Sequence, residues 1–279
     1  MIGFTKGSLY MRLSVFLSLF IYSLLSAQSP QVHSGAVKTD TGYSYYVTNG
    51  EPVSISVKLD LELINLRSSL RTDQIFVIPA HAVNYKILDF TRIKKGRYAY
   101  QVTASYLWGD QRELQYDELF NYHLPYAKSA SWRVSQGYNG SSTHKNTYAI
   151  DFTMPIGTAI HASRSGTVIQ VKENEAIGCN ALKCLEKANF IRILHKDGTI
   201  AEYTHLKQNG SIVKKGDFVK QDDRIAYSGN TGWTTGPHLH FTVYQPCFGK
   251  KSKTLPVRFQ IGTDVISSLL VENRSYRKP

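Results

Sequence analysis

Cysteine is scarce in this sequence, with three residues in 279. A fold built on a disulfide framework is thereby excluded. Proline is sparse too, nine residues against 20 glycines. No internal repeat or low-complexity block interrupts the chain, which excludes collagen-like, coiled-coil and disordered architectures. Acidic residues are few, 21 against 33 basic, for a net charge of +12. A basic balance suits an anionic partner: a wall polymer, a membrane surface or nucleic acid. Charge does not choose among these. No nucleic-acid motif is present, and the basic residues are spread out, apart from 250–253 and the chain end.

Long apolar runs are also missing, apart from residues 13–25. That run falls short of the ~20 residues a bilayer span needs. Lys6 and Arg12 are the only charges before Ala27, so residues 1–27 read as a signal peptide, with an uncleaved anchor as the alternative. The remainder keeps two charges fewer than the whole chain. No cysteine sits near the cut, so a lipid anchor is not expected. The mature chain is expected in the periplasm or outside the cell, without a stable membrane anchor.

What the chain has in plenty is β-branched and aromatic residues, including 18 tyrosines. They favour an all-β fold. Asn49-Gly50, flanked by residues 43–47 and 52 onward, predicts a hairpin. Val53, Ile55, Val57, Leu59, Leu61 and Leu63 alternate with polar residues, the period of a half-buried strand. Tyr98, Tyr100, Val102, Ala104, Tyr106 and Trp108 repeat the pattern, and 75–78 suits a further strand. Residues 31–110 therefore predict an N-terminal β-sandwich. Its tyrosine stripe is either core or a carbohydrate-stacking face. A connector follows at 111–128. From 129 to 246, short strands (158–162, 167–171, 190–194, 199–204, 224–227 and 239–244) alternate with glycine turns. Asp197-Gly198 predicts a hairpin there. Residues 247–279 read as one strand near 257–259 and a basic tail.

Histidine is the residue that carries chemistry here. In the segment Pro237-His238-Leu239-His240-Phe241, residues two apart on a strand share a face, so both imidazoles point one way. A shared metal explains such a pair, and so does a half-exposed surface strand. Upstream stand Tyr203-Thr204-His205-Leu206, then His144 and Tyr148-Ala149-Ile150-Asp151-Phe152. Over residues 130–246 these elements, in this order, resemble the lysostaphin/LytM-type zinc metallopeptidases. The sandwich ahead of them is similar to the N-terminal domain of exported Gram-negative members.

The resemblance implies an antiparallel β-sheet peptidase domain that hydrolyses the peptide cross-bridges of peptidoglycan. It implies one Zn2+ per chain, bound by His144, Asp151 and His240. His205 and His238 would remain unligated and handle protons, and Tyr138 would donate to an oxyanion. Three protein ligands leave a position for water, whose acidity zinc raises. This sequence departs from many members in one respect. Thr147 stands where the first His is usual, so six residues separate His144 from Asp151, and the stretch 139–146 must loop back. A non-catalytic wall-binding or regulatory module on the same fold is the alternative function, but none of the five positions is lost.

The remaining histidines have no partner at ligand spacing. His33, His81, His123 and His195 are structural in this reading, and His161 faces the core near the site. Cys179 and Cys184 lie in an apparent insertion, 173–188. In an oxidising compartment they are expected to pair and stiffen it. Two free thiols, or a bond to Cys247, are the alternatives.

Overall fold

The computed structural model describes residues 30–71, 73–112, 116–262 and 267–279. The signal-peptide reading of 1–27 lies outside the described residues. Strands dominate throughout, and among the described residues the one helical segment is a 3-10 turn at Leu182–Lys187. No described helix is long and apolar enough to cross a membrane.

The N-terminal part is two sheets packed face to face. One runs in the order Val32–Lys38, Gly42–Asn49, Tyr85–Arg92, Leu66–Ser68; the other is Phe76–Ile78, Ile55–Ile64, Ala99–Trp108. Ile55–Ile64 pairs antiparallel with Ala99–Trp108 along its whole length. The alternation works as the period-two pattern requires: Ile55, Val57 and Leu59 are buried, while Lys58 and Asp60 are exposed. Tyr98, Tyr100 and Tyr106 pack against this core, and the Tyr100 ring lies 4.7 Å from Tyr43 and 5.5 Å from Phe90. The tyrosine stripe is therefore packing surface.

Asn49-Gly50 does not close a hairpin. Gly42–Asn49 pairs with Val32–Lys38 and Tyr85–Arg92, whereas Ile55–Ile64 lies in the opposite sheet. The Asn49 side chain makes the crossing possible. Its amide donates to the Val53 and Pro79 carbonyls at 3.0 and 2.8 Å, and its oxygen accepts from the Glu51 N–H at 2.9 Å. Both strands then bury their apolar faces against each other across the sandwich.

The second part is built on a nine-stranded sheet. Its path runs Phe218–Val219, Gly166–Lys172, Phe190–Leu194, Ile200–Thr204, His238–Gln245, Ala149–Thr153, Ser131–Gln136 and Ser275–Arg277. Lys253–Thr254 pairs beside the end of His238–Gln245. Asp197-Gly198 does close a hairpin, joining Phe190–Leu194 to Ile200–Thr204.

The boundaries read from the sequence shift here. Tyr122, Leu124 and Tyr126 of the expected connector share one buried core with Ile150, Phe152, Leu239 and Phe241. Leu255, Val257, Phe259 and Leu270 of the expected tail join the same core. Asn121–Tyr122 even pairs in parallel with Arg258–Gln260. These strands are two or three residues long, too short to show a period.

The two parts are docked. Trp108 and Val53 of the sandwich pack on Ile169, Leu194, Ile200 and Tyr244 of the large sheet. Beside them Glu51 is fully buried, accepting from the Trp108 indole at 3.1 Å and pairing with Lys215 at 2.9 Å.

Candidate metal centre

Two neighbouring strands fix most of the site. In the register of Ala149–Thr153 against His238–Gln245, Asp151 stands opposite His240 and Thr153 opposite His238. Directly opposed residues on paired strands share a face. Leu239 and Phe241 point the other way and are buried with Ile150 and Phe152. Thr204, next in the sheet, is also opposite His240, and His205 follows at the strand's end with φ +64°. That left-handed residue turns the chain from Ile200–Thr204 into Leu206–Ser211 and swings the imidazole toward the centre.

His144 arrives from a loop closed at its stem. Asn139 N–H donates to the Thr147 carbonyl at 3.0 Å, and Thr147 N–H to the His144 carbonyl at 2.9 Å. Asn139 and Asn146 take positive φ, 57° and 54°, which asparagine tolerates. Gln136 holds the loop from beneath. Its amide oxygen accepts from the N–H groups of Ser142 and Thr143, and its NH2 donates to Asp151 Oδ2 at 3.2 Å. The six-residue gap is thus spanned by a folded loop, and Thr147 hydrogen-bonds the Lys145 carbonyl instead of entering the site.

His144, Asp151 and His240 come together as a set able to hold a metal ion. His144 Nε2 lies 3.3 Å from Asp151 Oδ2 and 3.3 Å from His240 Nδ1, and His240 Nδ1 lies 2.9 Å from Asp151 Oδ1. A tetrahedral metal with bonds of about 2.0–2.1 Å needs ligand atoms about 3.3 Å apart. The His144 tautomer also fits: Nδ1 is 3.1 Å from the Gly137 carbonyl, so it carries the proton and Nε2 presents a lone pair. Converging lone pairs and a carboxylate in a buried place are costly without a cation. The donor set therefore fits a divalent metal.

The electrostatics agree. Burial alone would raise the Asp151 pKa, but the contacts of the His144 and His240 rings, with positive charge at His240 and His238, outweigh it and hold the carboxyl well below its usual range. Burial likewise opposes charge on His240, yet the Asp151 contact raises its pKa on balance.

His205 and His238 flank this cluster. His205 Nδ1 lies 2.6 Å from the Thr231 carbonyl and donates to it, leaving Nε2 as an acceptor. Burial, then the positive neighbours His238 and His240, push its pKa down to about 3, so it is neutral. His238 Nδ1 lies 2.8 Å from the Gly236 carbonyl and 3.3 Å from the Thr234 hydroxyl. Its Nε2 stands 3.7 Å from Asp151 Oδ1. The His205 and His238 rings are 4.5 Å apart.

Tyr138 is elsewhere engaged. Its hydroxyl donates to the Val257 carbonyl at 2.8 Å and its ring packs edge-on to Tyr148, so the oxyanion-donor role expected of it is replaced by a packing role. The cysteine expectation holds: Cys179 and Cys184 form a disulfide, and Cys247 is free. His161 is only half-buried, its Nδ1 donating to the Asp222 carbonyl on a separate small sheet, so it does not face the core as expected. His195 is buried away from the site, beside Arg164 and Tyr122. The sequence reading missed Gln136, Thr231 and Thr234. The stretch 228–236 gave a hint of the last two, since its glycines and threonines precede the His-x-His pair; Gln136 gave none.

Residues 145–255 match the model of peptidase family M23. That segment, under half of the chain, is where the similarity to the family lies. The chain is 39% identical over 127 residues to an uncharacterized metalloprotease of Buchnera aphidicola subsp. Baizongia pistaciae, covering 43% of this chain and 30% of that protein. It is 34% identical over 122 residues to peptidoglycan DD-endopeptidase ShyA of Vibrio cholerae, covering 42% and 26% respectively. Among solved structures, the catalytic domain of lysostaphin from Staphylococcus simulans is 32% identical, with 43% of this chain and 84% of that one covered, at a TM-score of 0.31. The chain thus spans less than a third of the length of these two curated relatives.

Proposed function

We propose that the chain is a zinc-dependent endopeptidase that hydrolyses peptide cross-bridges of bacterial peptidoglycan. The observation that carries this reading is the convergence of a three-ligand set with two further imidazoles held at Nδ1, whose Nε2 atoms take no hydrogen bond from the described residues. A purely structural metal site uses four protein ligands. Here three protein ligands leave one position for chemistry. The M23 relatives named as peptidoglycan endopeptidases supply the substrate class.

Bound zinc supplies Lewis acidity that polarises a carbonyl and acidifies water. The protein's own groups do the rest. His144, Asp151 and His240 hold the ion, and Asp151, the sole anionic ligand, leaves the site a net positive charge for an oxyanion. His205, neutral and fixed by Thr231, accepts a proton at Nε2. His238, fixed by Gly236, handles the second proton position from the same side. The basic surface holds the enzyme near the carboxylates of wall peptides. Residues 1–27 direct export, which places the enzyme in the periplasm or outside the cell. It would meet its substrate there, and the Cys179–Cys184 bond would persist.

Purified sacculi incubated with the zinc-loaded protein provide the test. Mass spectrometry of the soluble products should show peptides cut at a cross-bridge. Binding to sacculi without any release would instead identify a non-catalytic wall module.

A further inference from the structure

We propose that the disulfide-closed insertion, residues 173–188, is a positioning element for His205 and His238. It acts through the segment 230–236, whose Thr231 and Gly236 carbonyls hold the two imidazoles by their Nδ1 atoms. The inference rests on reading the site as a hydrolase centre.

The contacts form an unbroken chain. Within the insertion, Cys179 is bonded to Cys184, which sits buried in the 3-10 turn Leu182–Lys187. Gly178–Cys179 pairs in parallel with Gly232–Trp233. Gly232 N–H donates to the Ile177 carbonyl at 2.9 Å, Thr234 N–H to the Cys179 carbonyl at 3.2 Å, and the Trp233 indole to Asn180 at 3.3 Å. The fit leaves no slack. A Cβ on Gly178 would lie 1.7 Å from the Asn230 carbonyl oxygen, and one on Gly232 would lie 2.6 Å from Ala188 Cβ.

The held segment in turn sets the histidines. The Thr231 carbonyl accepts from His205 Nδ1 at 2.6 Å. The Thr231 hydroxyl donates to the Leu206 carbonyl at 2.8 Å and accepts from Asn189 N–H at 3.0 Å. Asn189, fully buried, ties the start of the insertion to the same place through the Glu175 backbone. The Thr234 hydroxyl is 3.3 Å from His238 Nδ1 and 2.8 Å from the Gly236 carbonyl that also holds that ring. The metal ligands meet this chain only at its far end, where His238 Nε2 lies 3.7 Å from Asp151 Oδ1 and the His205 ring lies 5.9 Å from that of His240. The insertion's own hydrogen bonds go to the segment that aims the two rings and not to the metal ligands. Misplacing a catalytic group by about 1 Å costs on the order of 10²-fold in rate.

The full-length double variant Cys179→Ala/Cys184→Ala tests this, with histidine side chains labelled in 15N. In the parent, His205 should show the Nδ1–H tautomer alone. In the variant it should show mixed or exchanging tautomers, with zinc stoichiometry unchanged. Turnover on sacculi should fall at least about tenfold with little change in KM. Reducing the folded parent with a phosphine, which does not require the variant to fold, should reproduce the tautomer change. A variant and a reduced parent that both keep the parent tautomer would overturn the proposal, as would full turnover. If the parent itself releases no peptide, the hydrolase reading fails; the tautomer comparison still decides whether the insertion orients the rings.

Discussion

At the scale of single residues, the site separates groups that hold a metal from groups that move protons. His205 and His238 have their Nδ1 atoms fixed by backbone carbonyls and lie outside the ligand set. His205→Ala and His238→Ala should therefore keep zinc and fold normally, yet lose about 10²–10⁴ in rate. Peptide release from sacculi, measured beside zinc content, checks this; wild-type rates in both variants would refute the assigned roles. His195 gives a second prediction, far from the site. Burial, then the Arg164 cation, push its pKa down to about 4, so it is neutral in the folded protein. Once unfolded, it takes up a proton near pH 6.5. The unfolded chain thus binds more protons between about pH 6.5 and about 4, and stability is lost as pH falls through that window. In His195→Asn, the slope of stability against pH there should flatten, as urea titrations at several pH values would report. An unchanged slope would assign the acid sensitivity elsewhere.

At the scale of elements, the sequence is legible where a signal is local and opaque where it is not. The alternation from Ile55 onward and the shared face of His238 and His240 follow from a period of two and appear as read, while Val53 lies ahead of the strand and packs on the large sheet. Asp197-Gly198 reads correctly because the two strands it joins are direct neighbours in one sheet. Asn49-Gly50 carries the same kind of turn signal, but a turn does not say which sheet the next strand will join. That choice rests on distant apolar faces. The His144 loop was visible only as a need: the spacing required a fold-back, while the residue that secures it, Gln136, lies outside any pattern. The strand near 257–259 is legible and stands at Arg258–Gln260, but its place in the core of the second part is not. Phe259 is fully buried, its ring 6.3 Å from Tyr122, 6.4 Å from Phe152 and 5.8 Å from Phe241. It thereby supports the two strands that carry Asp151 and His240. Phe259→Ala should cost about 3–5 kcal/mol. Equilibrium denaturation would check it, and a loss under about 1 kcal/mol would show that the tail does not share the core.

At the scale of the whole molecule, the sandwich is seated on the same sheet that carries the metal site. Tyr244 lies on the face of His240, four residues along the strand, and packs against the cluster containing Trp108. Buried Glu51, held by Trp108, Lys215 and the Gln31 N–H, locks that contact. Trp108→Ala should remove the anchor and orphan part of the Glu51 carboxylate. Small-angle scattering should then show a larger maximum dimension, whereas an unchanged profile would mean the docking does not depend on Trp108. The account as a whole rests on one division of labour among five side chains. Elemental analysis of the refolded, zinc-supplied parent and its single alanine variants tests that division most directly. The parent, His205→Ala and His238→Ala should each carry about one zinc per chain, and His240→Ala should carry essentially none. Full zinc in His240→Ala, or its loss from His205→Ala or His238→Ala, would contradict the account.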